Sequence, residues 1–207
     1  MQTETLTQQG KLIVSFIHKL MAIRKPSLRQ QRQAVAQKLW LVTVAAARQG
    51  YFYNQLAVSD TIDGRFNLLC LHLFIVLRRL RQESLSNRDA KAVGQALFDL
   101  AFKDMDQNLR ERGISDLKVG ARVKEMAKAL YGRIAAFDDG LAKHRGGDHQ
   151  ALVLAIGKNI YSDQKSPDLE LAAKLADYLV KASKNAEGLT LTQIIHQGHF
   201  EFPEVMS

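Results

Sequence analysis

The sequence predicts an all-α fold, a single helical domain of about seven to nine helices around one central apolar helix. Three observations lead there. Apolar residues recur at steps of three and four through most of the chain, as on amphipathic helices. Alternating apolar and polar runs that would mark half-buried strands are few, and only three prolines interrupt 207 residues. With 46% hydrophobic and 24% charged residues the composition is ordinary for a globular chain with one sizeable core. The reading divides the chain into a basic amphipathic N-terminal helix over 1–26, a helical domain over 27–185 and a C-terminal tail over 186–207.

Taken in order, the first apolar stretch, Leu12 to Ile23, carries Ser15, His18 and Lys19 and falls short of the roughly 20 residues a bilayer span requires. It is read as no transmembrane segment and no secretory signal. Two readings stay open for it, a packing helix or an interfacial helix on anionic lipid. Pro26 breaks the chain, since proline disfavours helix in the residue before it. Leu28 to Gln49 resumes helical spacing through Val35, Leu39, Val42 and Ala46, with Gly50 expected to end it. Tyr51, Phe52 and Tyr53 follow as an aromatic cluster, suited to anchoring a loop on the core or to stacking on a base. From Asp60 or Thr61 a helix runs to about Arg81; Phe66 to Leu77 is apolar except for Asn67 and His72, which makes this the central helix.

Ser86 or Asn87 caps the next helix, with Val93, Leu97 and Leu100 beside a second row of Phe98, Phe102, Met105 and Leu109. Gly113 is placed to end it in a left-handed cap. Ser115 and Asp116 both suit the following N-cap, and Val119, Val123, Met126, Leu130, Ile134, Phe137 and Leu141 form one helical face. Gly146 and Gly147 make a turn, and Asp148 starts a shorter helix through Leu152, Ile156 and Ile160. Ser166 and Pro167 are expected to open the last long helix through Leu171, Leu175 and Leu179, after which long periodicity fades beyond Gly188.

Signatures of catalysis are missing. No histidine follows an acid by three residues, and GxGxxG, GxxxxGK[ST] and GxSxG are all absent from the sequence. Cys70 and His72 on the central helix have no ligand or base at a helical neighbour position, so His72 is read as a packed histidine. His196 and His199 lack a firm third ligand, and the adjacent acids Asp138 and Asp139 are read as solvated. A single cysteine excludes an internal disulfide framework and suits a reducing compartment. The expectation is therefore no cofactor and no stoichiometric metal.

Charge is unevenly placed. Residues 1–50 hold eight basic residues against Glu4 alone, +7 of a net +8. Such asymmetry fits contact with a polyanion, either RNA of a ribosome or an anionic membrane surface, or else serves solubility. A second basic face, Lys118, Arg122, Lys124, Lys128 and Arg133 against Glu125, lies opposite the apolar row that starts at Val119.

The run FxxMxxxLRExGxxDxxVxxRVKxMxxAxYGR, from Phe102 to Arg133, resembles the signature of the ubiquinol-cytochrome c chaperone family. An upstream block, Asp60, Thr61, Asp63, Gly64, Arg65 and Phe66 followed by Leu71, His72, Leu77, Arg78, Arg79 and Leu80, is similar to that family's other well-kept segment. The resemblance implies an assembly factor and not an enzyme, whose client is newly made cytochrome b on its way into ubiquinol-cytochrome c reductase. It also implies a small companion protein and work near the ribosomal exit for the mitochondrial members. The location it suggests is cytoplasmic, peripheral on the inner face of the membrane in a bacterium, or alternatively the mitochondrial matrix. Where the signature coincides with residues off the apolar row, partner contact is expected: Arg110, Arg112, Asp116, Lys118, Arg122, Tyr131 and Arg133. Two other classes remain open on the residues alone, a basic helical RNA- or ribosome-binding protein, and a hydrophobic-ligand protein for quinone or lipid, which needs a large apolar cavity.

Overall fold

Ser27 starts the first helix by a reciprocal exchange with Gln30. Its amide donates to the Gln30 side chain (2.8 Å) while its hydroxyl accepts the Gln30 amide (3.3 Å), satisfying two donors that a helix start leaves free. The computed structural model describes residues 26–205. Arg32–Ser207 form one packed unit; of the unit before it, Met1–Gln31, only 26–31 are described. The stretch Leu12 to Ile23 and the helix expected over 1–26 thus lie outside the described residues, Pro26 apart.

Among the described residues seven α-helices follow in order: α1 (Leu28–Ala47), α2 (Gly50–Asn54), α3 (Ile62–Glu83), α4 (Arg88–Glu111), α5 (Asp116–Arg145), α6 (His149–Ile160) and α7 (Leu169–Gly188), then a π-helical turn over Gln193–Gln197. No strand occurs among the described residues. The all-α class and the helix number match the expectation. The central apolar helix is α3, which lies against α4, α5, α6 and α7. Leu68, Leu71, Leu73, Phe74, Ile75 and Val76 are all fully buried. Each such side chain contributes about 1.5–3 kcal/mol on burial, so α3 is the fold's main apolar investment.

Helix ends explain most of the connections. Thr61 caps α3 by accepting the Gly64 amide (3.1 Å), and Asn87 caps α4 through the amides of Asp89 and Ala90. Gly113 sits at φ 80° beyond the end of α4, where the Ile114 amide reaches the Leu109 carbonyl and the Gly113 amide the Arg110 carbonyl. The same pair of bonds recurs after α5 at Gly147 (φ 98°), from Asp148 to Lys143 and from Gly147 to His144. Both are the left-handed helix stop that glycine serves best.

Three expectations are corrected. Helix α1 ends at Ala47, and Gly50 opens the one-turn α2 instead of closing α1. Helix α7 begins at Leu169, because the Asp168 carboxylate accepts the amides of Glu170 (2.8 Å) and Leu171 (3.2 Å); Ser166 and Pro167 stay in the preceding loop. Asp138 is not simply solvated, since it pairs with Arg78 (3.3 Å) and Arg81 of α3. The aromatic cluster anchors to the core: Phe52 is fully buried, and the Tyr53 hydroxyl donates to the Ala47 carbonyl (3.0 Å). Beyond α7 the chain is packed too, with Ile194, Ile195 and Phe200 in the core.

Candidate functional site

The two sequence blocks read as a signature meet at the N-terminal end of α3. Gly64 makes that meeting possible: a Cβ there would stand 1.9 Å from the Ser59 carbonyl oxygen, so only glycine lets the 55–61 loop cross the first turn of α3. Arg65 is tied back to Asp60 (2.5 and 3.1 Å), and that bond holds the exposed Asp60 carboxyl below its ordinary range. The next two residues face α5. Arg133 lies over the Phe66 ring (5.5 Å to its centre) and donates to the Asn67 side-chain oxygen (2.5 Å) and to the Ala129 carbonyl (3.2 Å). Asn67 completes its bonding with its amide, which donates to the Ile160 carbonyl (3.0 Å) and the Ser162 hydroxyl (3.3 Å). About three turns before Arg133 on the same helix, Arg122 pairs with Asp63 (3.8 Å) and Glu125 (3.2 Å).

Beside this seam runs a cleft of about 670 Å³. Its apolar lining comes from Trp40 and Val44 of α1, Ile62, Phe66 and Leu69 of α3, Met105 and Leu109 of α4, and Met126 of α5. Ile62 is 57% exposed and, of the exposed large apolar side chains among the described residues, is the one that lines the cleft. Arginines 48, 65, 112, 122 and 133 and the acids Asp63, Asp104, Glu125 and Asp163 line it as well. The cleft offers an apolar floor with charged groups of both signs, which suits an amphipathic polymer better than a small apolar molecule.

The seven residues expected to meet a partner divide by position. Arg112, Arg122 and Arg133 line the cleft. Arg110 is engaged by Asp106 (2.7 Å) and Asp116 in a bridge between the end of α4 and the start of α5, so Arg110 and Asp116 tie the two ends of the same turn together. Lys118 is exposed on the first turn of α5. Tyr131 is 58% exposed and stands 5.6 Å from the Phe98 ring in a separate shallow pocket, with Leu77 and Ile134. Asn67, Ile62, Trp40 and Met105 also line the cleft, although periodicity gives no sign of a site role for them. Asn67 carried a signal, a lone amide in an apolar helix, because a buried polar group must be bonded to something.

The chemistry-bearing residues of the α3 interior are locked. His72 is buried with Nδ1 2.8 Å from the Leu68 carbonyl and Nε2 2.9 Å from the Tyr178 hydroxyl, and burial pulls its pKa down to about 4. Burial pushes the Cys70 thiol up to about 12, which leaves it un-ionised and a poor nucleophile. His144 and His149 face each other (3.0 Å between Nδ1 atoms), and no group of three or more His, Cys, Asp or Glu able to hold a metal occurs among the described residues. No helix among them is long and apolar enough to cross a membrane.

The family described as Ubiquinol-cytochrome C chaperone matches residues 54–202, a stretch that contains the α3 loop, the seam and most of the cleft. Ubiquinol-cytochrome c reductase complex assembly factor 1 of Mus musculus is 24% identical over 168 residues, covering 74% of this chain and 54% of that protein. Protein CBP3, mitochondrial, of Saccharomyces cerevisiae is 25% identical over 131 residues, covering 62% of this chain and 37% of that protein. The chain thus spans about half the length, or less, of these two curated relatives. The crystal structure of the Cbp3 homolog from Brucella abortus superimposes with a TM-score of 0.73 at 30% identity, covering 93% of this chain and 97% of that one.

Proposed function

This chain belongs to the ubiquinol-cytochrome c chaperone family, and from that premise we propose that it assists assembly of ubiquinol-cytochrome c reductase by holding an apolar segment of a newly made subunit in the cleft. The proposed client is cytochrome b, a reading that rests on the family resemblance. The role is binding and release without chemistry on the client. What carries the reading to this surface is one observation: the cleft is walled by residues of both signature blocks, Asp63, Arg65 and Phe66 from one and Met105, Arg122 and Arg133 from the other. Packing alone gives no reason for charged groups to ring a contiguous apolar floor, whereas a transient amphipathic ligand does.

The same reading assigns the basic residues 1–50 to attachment at a ribosome or an anionic membrane surface, in the bacterial cytoplasm or the mitochondrial matrix. It leaves room for a small companion protein. The test is direct. Ile62→Asp together with Met126→Glu places carboxylates on the apolar floor at positions that are not fully buried. Such a variant is expected to keep its helical signal and melting transition while recovering little cytochrome b after crosslinking in cells, and to lower the amount of assembled reductase. A folded variant with normal recovery would move the client to another surface.

A further inference from the structure

Resting on the reading of the cleft as the client site, we propose that Arg133 is an anchor for a carboxylate on the apolar peptide segment that the cleft receives. A guanidinium has five N–H donors in a planar fork. Arg133 spends one on the Asn67 oxygen and one on the Ala129 carbonyl, and its Nε is buried with no hydrogen-bond partner. Folded proteins rarely leave such a donor empty, because it has lost its water without a replacement. Arg133 also has no carboxylate partner among the described residues, in contrast to Arg65 and Arg122 of the same cleft. Its position is nevertheless fixed, by Phe66 beneath the charge and by Asn67, itself held to the α6 end at Ile160. A fixed, half-buried cation without an anion is preorganised for one.

The ligand chemistry is that of a peptide acid. Asp104 and Asp163 also line the cleft, and they disfavour a sheet of anionic lipid headgroups. The Asn108 amide nitrogen is spent on Asp104, which leaves its oxygen, together with the Ser162 hydroxyl, as groups of the kind that bond a peptide backbone. The carboxylate has two sources, an Asp or Glu side chain beside apolar residues or a free chain terminus, and the Nη hydrogens of Arg133 not spent on Asn67 and Ala129 can donate to either.

The test uses the full chain and overlapping short peptides of cytochrome b as probes. Each peptide is made as the free acid, with its Asp and Glu changed to Asn and Gln, and with its C-terminus amidated. Binding is read by fluorescence anisotropy. The expected result is that the peptides bound best lose about tenfold or more in affinity when one of the two acids is neutralised, the size of a charge-assisted hydrogen bond. Which neutralisation matters identifies the source. Arg133→Gln is expected to lose the same factor for the acid form and to be indifferent to neutralisation. Equal binding of acid and neutral peptides by the wild-type chain overturns the anchor while leaving the cleft reading intact, and that comparison stands even where Arg133→Gln fails to fold. Binding of no peptide overturns the cleft reading and the anchor together, and binding of oleate with no peptide reassigns the cleft to a lipid.

Discussion

Arginines stand at both ends of α3, and they differ in how fully their donors are used. At the C-terminal end Arg78 pairs with Asp138 (3.3 Å) and Glu187 (3.0 Å), and Arg81 pairs with Asp138. Arg79 is buried and donates to the carbonyls of Ala186 and Leu189 (3.0 Å each) and to Glu83 (2.9 Å). Burial alone would raise Glu187, but Arg78 and Arg145 outweigh it and hold its carboxyl below the ordinary value. At the N-terminal end, Arg133 keeps an unpaired buried nitrogen, and Arg48 and Arg112 make no ion pair among the described residues. The difference separates two uses of one residue type. A saturated network closes α3 onto α5 and α7, whereas unsaturated cations beside an apolar floor hold binding capacity in reserve.

The largest effect is expected at the saturated end. Arg79→Met keeps the apolar stem but removes the donors that close the last turn of α7, leaving the Ala186 and Leu189 carbonyls without them. A loss of about 3 kcal/mol is expected, as for breaking one side of a buried charged network. Urea unfolding followed by far-ultraviolet circular dichroism measures it. Client recovery per folded molecule should stay at the wild-type level. A change within about 0.5 kcal/mol would erase the contrast between the two ends.

The middle of α3 supplies the next test, because His72 belongs to neither end. Its ring is caged by Phe52, Tyr178 and Phe202, and its pKa falls from 6.5 to about 4 through burial. The unfolded chain therefore takes up a proton in a window where the folded chain does not. Stability is complete above 6.5 and declines as pH falls from 6.5 toward 4. Going from neutral pH to about pH 5 should cost about 2 kcal/mol from this group. His72→Asn should start less stable and lack that part of the pH dependence. Parallel slopes for the two proteins would mean that the histidine is charged, or solvated, inside the fold.

Much of the architecture was legible because it rests on local rules. Thr61, Asn87, Gly113 and Asp148 fall where short-range helix chemistry puts them, and the α3 apolar run is continuous enough to mark a central helix. Misplaced boundaries were competitions between neighbours. Asp168 outbid Ser166 as the cap of α7 because its carboxylate reaches two amides, and no periodicity distinguishes those candidates. The cleft was legible only in pieces. The sequence singles out Arg112, Arg122 and Arg133, but its spacing gives Met105 and Leu109 only as packing residues. They are that too, since both are buried while also lining the cleft. Asn67 and Arg133 are 66 positions apart, and their bond depends on how α3 and α5 cross. Spacing along one helix cannot carry that information.

The smallest effect on stability is expected at Arg122, where the comparison is sharpest. Its side chain is half exposed, and its partners Glu125 and Asp63 are more exposed still. Surface pairs of this kind contribute between zero and about 1 kcal/mol, and the 3.8 Å contact to Asp63 is at the weak end. Arg122→Gln should therefore shift stability by no more than about 0.5 kcal/mol. A rim charge acts mainly on the rate of encounter and its salt dependence, because it attracts a ligand before contact and stays hydrated afterwards. The variant should thus slow association of an acidic cytochrome b peptide at low salt and leave the dissociation rate nearly unchanged. Raising the salt concentration should bring the two proteins together, since screening removes what the substitution removed. Arg133, half buried and held by Asn67, should behave oppositely, with its effect in the dissociation rate. Stopped-flow kinetics on both variants decides between them. Equal effects on association and dissociation at the two sites would mean that the cleft draws no line between a hydrated rim and a buried anchor.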